Sequence, residues 1–416
     1  MKTRISSSLL AVLLTLLAAL PGSATDGYFA TGYGVKQQGA GGAGVACVDD
    51  SLAAATNPAG MFFAGDRIDF GASFFRPIRG ATISGSLFPV NGGYDGSGRK
   101  NFLIPEFGYN RRLRSRFSLG VSVFGNGGMN TTYLGGIPLF GSGRAGVNLE
   151  QLFVAPTLAF RLSKRNVFGV SLNLAYQRFQ LEGLQNFASA AFSIDPANLT
   201  NRGTDSAFGA GLRVGWIGTV SRWLSLGATY QSRTHMGKFN RYRGLFAEQG
   251  GFDIPANFAG GVALKIRSRA TLAFDAERIL YGQVKSIANP GANPALLGSD
   301  NGPGFGWRDI TAYKLGGSYR VNPALTLRAG VNHSGQPFAA TETFFNILAP
   351  GVVQNHVTAG ATVRLSGGRE INFFYLHAFT GTVTGVNSIP PGAGGGNASL
   401  GMHQNSAGIS LGWNKE

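Results

Sequence analysis

Along most of the chain, large apolar residues recur at every second position. Phe168, Val170, Leu172, Leu174 and Tyr176 alternate with Gly169, Ser171, Asn173 and Ala175. Phe208, Ala210, Leu212, Val214 and Trp216 alternate with Gly209, Gly211, Arg213 and Gly215, and Val357, Ala359, Ala361, Val363 and Leu365 with Thr358, Gly360, Thr362 and Arg364. A two-residue period sends successive side chains to opposite faces of a β-strand, so each run predicts a strand with one greasy face and one small or polar face.

Such segments fall at 68–76, 102–109, 117–124, 149–162, 167–179, 208–220 and 224–233 in the first half of the chain. In the second half they fall at 257–266, 271–278, 310–321, 325–333, 357–365, 371–379 and 407–413. Short connections at 111–116, 163–166, 221–223, 267–270, 321–324 and 366–369 take turns with long ones rich in Gly and Pro. An even strand number, with short turns at one end and long loops at the other, is the layout of an outer-membrane barrel. After residue 24, Gly, Ser, Thr and Asn interrupt every candidate for an apolar helix of roughly 20 residues. In lipid every backbone N–H and C=O needs an internal partner, which a closed sheet supplies. The predicted fold is therefore all-β: a transmembrane antiparallel β-barrel of about 14 strands with an N-terminal plug inside the lumen. Gly and Ser on the inner faces are expected to keep a lumen open. The competing fold, a secreted all-β protein with a packed core, would be left with voids along those faces.

The two ends of the chain follow different rules. Lys2 and Arg4, an apolar run from Leu9 to Leu20, and Pro21, Gly22, Ser23 and Ala24 read as a signal peptide over residues 1–24 that is cleaved after Ala24. Residues 25–65 do not alternate and are assigned to the plug, with the barrel over 66–416. In the plug, Asp49, Asp50 or Ser51 is placed to cap a short helix through Ala55, and Pro58 to end it. The last strand ends at Trp413 and is followed by Asn414, Lys415 and Glu416.

Composition removes other classes. Glycine supplies 64 of the 416 residues and charged residues only 13 %, against roughly 7 % and 25 % in soluble domains. The 17 prolines follow no Gly-X-Y period, which excludes collagen. A net charge of +16 suits nucleic acid, anionic lipid or anionic solutes. Export argues against nucleic acid, and the densest basic group, Arg111, Arg112, Arg114 and Arg116, sits at a predicted turn without interleaved aromatics. Cys47 is the single cysteine, so no intramolecular disulfide forms. His235, His333, His356, His377 and His403 are scattered without metal-ligand spacing. The run Gly39 to Gly44 lacks the flanking strand and helix of a phosphate loop. No catalytic residue, metal or cofactor is expected.

Further segments carry a family resemblance. Gly32-Tyr33-Gly34-Val35-Lys36, the Gly39 to Gly44 run, Asp50 and Asn57-Pro58-Ala59-Gly60-Met61 resemble the plug of the FadL-type outer-membrane fatty acid transporters and their toluene-importing TodX relatives. Trp307-Arg308-Asp309, Tyr313-Lys314-Leu315-Gly316 and Thr326-Leu327-Arg328-Ala329-Gly330-Val331 are similar to a recurrent pair of late strands in that family. The resemblance implies a fourteen-stranded barrel closed by the plug, which would include Asn57, Pro58 and Ala59. It also implies an inward kink in the third strand, through which a hydrophobic molecule leaves sideways without an energy source. That kink is assigned to Gly125, Asn126, Gly127 and Gly128, where the third predicted strand breaks.

An apolar cargo must lose its water, so greasy loop residues are expected at the point of capture: Leu184, Phe187 and Phe192 in one loop, Leu245, Phe246 and Phe252 in another. Arg161, Arg213, Lys314, Arg328 and Arg364 lie on small-residue faces and should point inward, where they could meet a carboxylate headgroup. They could equally pair with Asp275, Glu277, Asp49 or Asp50. The expected function is passive uptake of long-chain fatty acids or aromatic hydrocarbons across the outer membrane of a Gram-negative bacterium. Expected partners are the hydrophobic small molecule, outer-membrane lipid and lipopolysaccharide, and the barrel-assembly machinery. Rival readings are a general or anion-preferring porin and an adhesin or receptor barrel.

Overall fold

The computed structural model describes residues 26–414, so the expected signal peptide and the last two residues lie outside the described part. Fourteen long strands form one antiparallel sheet. In chain order they are β1 Arg67–Ser84, β2 Phe102–Arg114, β3 Phe117–Asn130, β4 Gly146–Arg161, β5 Asn166–Glu182, β6 Asp205–Thr219 and β7 Leu224–Gln231. They continue as β8 Asn257–Ile266, β9 Ala270–Ile279, β10 Ile310–Arg320, β11 Leu325–Ser334, β12 Asn355–Arg364, β13 Arg369–Val383 and β14 Asn397–Asn414. Each strand pairs with its neighbours in sequence, and β14 returns to pair with β1, which closes the sheet into a barrel. Two short pieces, Gly92–Asp95 on β1 and His235–Met236 on β6, extend the wall at the long-loop end. No described helix is long and apolar enough to cross a membrane; the strands do so.

All fourteen strands coincide with the alternating segments, but several reach beyond them, β1 and β14 furthest. β1 runs on past Arg76 to Ser84, and β14 begins at Asn397, before Ala407. The extensions pair with each other from Pro77–Gln404 to Ser84–Asn397. They rise above the apolar belt, so their outward residues need not be greasy and the period is lost. Within the belt, Phe70, Phe74, Leu172, Leu174, Leu212, Ile409 and Leu411 face outward, and Ser118, Ser122, Ser171, Asn173 and Thr157 are buried on the inner face.

Residues 26–65 meet the inner face of the sheet almost all the way round, which places them within the cylinder. Ser51 donates to Asp69 of β1, Ser122 of β3 donates to the Ser51 carbonyl at 2.6 Å, and Asn57 donates to the Trp216 carbonyl of β6 at 3.0 Å. On the far side, Asp275 of β9 accepts from the amides of Gly44 at 2.6 Å and Val45 at 2.9 Å. Thr358 of β12 accepts from the Gly41 amide at 2.8 Å.

The inner-face glycines do not hold a passage open, as alternation alone suggested. A methyl group at Gly169 or Gly316 would collide with the backbone of Pro58 or Ala40, one at Gly215 with the Asn57 side chain, and one at Gly227 with the Val45 carbonyl. These strands lack side chains where the leading segment presses its main chain against them. The segment itself has little regular structure. Ala53–Ala55 is a single 3-10 turn without a side-chain cap, because its N-cap position is Leu52 and not Asp49, Asp50 or Ser51, and Pro58 opens a second turn, Pro58–Gly60, instead of ending a helix. Gly41 and Gly42, at φ 67° and 81°, turn the chain through the left-handed region that only glycine enters freely.

Candidate functional site

The β2–β3 seam of the wall is only partly closed. β2 and β3 pair from Phe107–Val123 towards their turn, but Phe102–Glu106 has no partner in Phe124–Asn130. Phe102 to Pro105 remains paired with β1, and β3 remains paired with β4 up to Asn130–Asn148, so both strands continue past the point at which they part. Two local features allow the separation. Pro105 lacks an N–H, which suits it to a strand with an unpaired edge. On β3 the register shifts between Gly125–Leu152 and Gly127–Gln151, leaving Asn126 as the extra residue of a β-bulge. The Gly125 to Gly128 stretch is therefore a bend within a strand that continues past Phe124 to Asn130.

Asn126 is fully buried and fixes the bend from inside. It donates to Gln151 at 3.0 Å and accepts the Tyr33 hydroxyl at 3.1 Å. The first described residues run along this bend: Ala30 donates to the Asn126 carbonyl at 3.1 Å, and Gly128 to the Tyr28 carbonyl at 3.0 Å. Tyr28 is itself held by the Tyr281 hydroxyl, which lies 3.1 Å from its amide. The Tyr281 ring packs on Tyr28 at 5.3 Å and on Trp307 at 5.1 Å, which ties the bend to the loops.

A cavity of about 650 Å³ occupies this place. Its inner wall includes Tyr28, Phe29, Phe75, Phe124, His356 and Gln404, and its outer wall includes Leu103, Ile104, Pro105, Gly125, Gly128 and Leu152. Leu103 is 72 % exposed on the outside of the barrel. The lining of the cavity thus takes in both lumen-facing and outward-facing residues at the β2–β3 seam. A smaller cavity of about 190 Å³, lined among others by Lys36, Cys47, Lys265 and Arg328, lies on another side of the leading segment.

The other candidate residues fall into three groups. Asn57, Pro58 and Ala59 are buried at the contact with β5 and β6; Asn57 accepts from Ala59 at 3.1 Å and donates to Val45 at 2.8 Å. The loop residues form packed clusters. Leu184, Phe246 and Phe252 are buried, Phe187 packs against Phe192 and Phe345, and Phe246 against Phe179 and Phe252. Phe192, 49 % exposed, is the one aromatic of the six that is open to solvent, and none of the six lines the larger cavity. Phe252 reaches it indirectly, through ring contact with Tyr28 at 6.5 Å.

The five cations are all engaged. Lys314 pairs with Asp26 at 3.1 Å and Glu277 at 2.7 Å, and Arg328 with Asp49 at 3.2 Å. Arg213 donates to the Thr56 carbonyl at 2.8 Å, Arg364 to Thr326 at 3.0 Å, and Arg161 lies over the Phe62 ring at 4.4 Å. None of them lines the larger cavity. Asp275 receives backbone amides and not one of these cations.

The sequence reading missed a second ion network. Lys36 and Arg67 both pair with Glu370, and Arg67 also holds Asp69 at 2.7 Å, so the leading segment is tied to both sides of the β1–β14 closure. The available signal was Lys36 itself: a lone charge in a small-residue stretch destined for the lumen needs a buried partner. Pro105, within an alternating run, was the corresponding signal for the open seam.

A sequence profile described as "Outer membrane protein transport protein (OMPP1/FadL/TodX)" matches residues 23–409. No curated protein sequence matches the chain. Among solved structures, the toluene transporter TodX of Pseudomonas putida superposes with a TM-score of 0.71 at 19 % identity, covering 93 % of this chain and 99 % of that one. A FadL homologue of Pseudomonas aeruginosa gives 0.71 at 16 % identity, with the same coverage of 93 % and 99 %. The toluene transporter TbuX of Ralstonia pickettii gives 0.65 at 17 % identity, again covering 93 % and 99 %. At these identities the likeness is one of fold. With the profile match over nearly its whole length, the chain belongs to the FadL/TodX family of outer-membrane transport proteins of Gram-negative bacteria.

Proposed function

We propose that this barrel takes up hydrophobic compounds passively, with the segment 25–65 acting as a plug and the β2–β3 seam as the lateral exit. The observation that carries the reading is the 650 Å³ cavity whose lining runs from Tyr28 and His356 inside to Leu103 outside. A hydrophobic molecule in that cavity reaches the membrane without crossing the plug and without returning to water. Release into the acyl chains is downhill for an apolar solute, so no energy source is required.

Long-chain fatty acids and aromatic hydrocarbons are both within this class. The lumen cations, which alone would favour a carboxylate, are occupied by Asp26, Glu277, Asp49 and backbone carbonyls. Capture in this reading starts at the exposed Phe192 and passes along the aromatic clusters of the loops to Tyr28. Lipopolysaccharide around the loop end and the barrel-assembly machinery during insertion complete the expected partners.

The test is uptake of a fatty acid and of an aromatic hydrocarbon by cells carrying or lacking the protein, together with mass spectrometry of ligand that co-purifies with it. Uptake that depends on the protein, with a hydrophobic ligand retained, supports the proposal. Steady ion conductance in planar bilayers without ligand retention favours a porin and overturns it.

A further inference from the structure

The two ends of the barrel carry charge differently. At the long-loop end six cations have carboxylate partners besides Arg99: Arg144 with Glu182, Arg178 with Glu150, Arg233 with Asp253, Arg243 with Asp195, Arg278 with Asp309 and Lys285 with Glu248. The short-turn end has the opposite character. The turns at 111–116, 161–166, 220–224, 265–270, 320–325 and 364–369 each contain at least one Arg or Lys, and none contains Asp or Glu.

Among the described residues, no cation of these turns lies within ion-pair distance of a carboxylate. The nearest acids in sequence are taken: Glu370 is buried against Lys36 and Arg67, and Asp66 accepts the Arg112 amide at 2.6 Å. Lys164, Arg165, Arg222, Arg267, Arg269 and Arg320 stand exposed.

Every turn also presents at least one exposed apolar side chain beside its cations: Leu113, Leu162, Val220 and Trp223, Ile266, Val321 and Leu365. Greasy residues next to long cationic ones suit the plane where acyl chains meet headgroups, with the apolar group in the first and the charge at the second. The turns follow one another round the barrel from β2 to β13, leaving only the β1–β14 closure without one. A soluble acidic partner would engage one side and would not call for an exposed apolar residue in each turn. We propose that the six short turns form a ring that binds the phosphate-bearing headgroups of anionic phospholipids in the periplasmic leaflet.

The test compares the mature protein with a variant carrying Lys164→Gln, Arg165→Gln, Arg222→Gln, Arg267→Gln, Arg269→Gln and Arg320→Gln. Both are taken up into nanodiscs of phosphatidylcholine and phosphatidylglycerol, and retained lipids are counted by native mass spectrometry. The expected result is a preference for phosphatidylglycerol of about fivefold in the parent chain, falling to near parity in the variant and in about 0.5 M salt, where charges are screened beyond a few ångströms. Heat-modifiable gel mobility reports whether the variant has folded, and the double variant Arg267→Gln with Arg269→Gln is expected to give an intermediate preference. No preference in the parent chain, or an equal preference in the folded variant, overturns the proposal. Uptake through the wall is expected to survive these substitutions, which separates this test from that of the transport reading.

Discussion

The β1–β14 seam joins residues from opposite ends of the sheet and pairs along the full 18 residues of β1, from Arg67–Asn414 to Ser84–Asn397. The β2–β3 seam joins neighbours across a tight turn at Ser115 and Arg116, yet parts after Phe107–Val123. Pairing over a long sequence separation carries the larger entropic cost of loop closure, so distance along the chain does not explain the difference. Composition does. β1 and β14 meet without a shift in register, and their turn-end contact is reinforced by Arg67 and Glu370. β2 and β3 combine a proline, a bulge and inserted contacts from Tyr28 and Ala30. The opening is a local feature of two strands and not a weakness of closure.

The largest expected effect comes from forcing the two seams to behave alike. A side chain added at Gly125 would stand 2.9 Å from the Ile104 side chain, so Ile104→Cys with Gly125→Cys, in a Cys47→Ser background, should form a disulfide across the opening. Oxidised cells are expected to lose most protein-dependent uptake and to recover it with reductant. The same bridge at Ala72 and Ile409, partners on the closed seam, should leave uptake unchanged. Equal behaviour of the two pairs would remove the exit from β2–β3.

Removing the bend is the next sharpest test. Deleting Asn126 should restore register with β4, and replacing Gly127 by Leu should push the added side chain into the Tyr28 carbonyl. Either change is expected to lower uptake about tenfold in a radiolabelled-substrate assay, the scale of about 1.4 kcal/mol on the transfer step. Unchanged uptake with bulky residues at Gly127 would argue against lateral release.

A smaller effect belongs to the leading segment. Asn57→Ala removes the donors to Val45 and Trp216 and leaves buried carbonyls unpaired, at a cost of about 1–3 kcal/mol. The expected outcome is a lower melting temperature and intermittent conductance in planar bilayers, against an expected silence of the parent protein.

The smallest effect is one of pH. Burial raises the Asp26 carboxyl to about 6, against the opposing pull of Lys314. An acid with a higher pKa in the docked state binds its proton more tightly there. Docking of the leading strand is therefore strongest below the ordinary carboxylate range, near 3.8, and weakens as pH rises through about 6. Amide exchange at Phe29 and Ala30, corrected for intrinsic rates, should show greater protection at the lower pH, and Asp26→Asn should flatten the profile.

The legible and illegible parts of the molecule divide along the same physical line. Alternation is local, so all fourteen strands could be read from it, including the fit of 257–266 to β8. The open seam depends on which residues fail to pair, and Pro105 and the Gly125 to Gly128 stretch marked it only by their chemistry. The partners of Lys314 and Arg328 are distant in sequence, and Asp26 and Asp49 had no signature that assigned one acid to one cation. Phe246 and Phe252 read as free loop aromatics because no period reveals that one loop packs on another.

The bare main chain of the inner-face glycines bears on how the molecule is assembled. Pro58 against Gly169, and Ala40 against Gly316 and Gly330, leave no clearance for sliding one past the other. A segment fitted so tightly is not expected to thread into a finished tube. The expected order of construction is that the leading residues settle onto an open curved sheet before β14 zips to β1 around them.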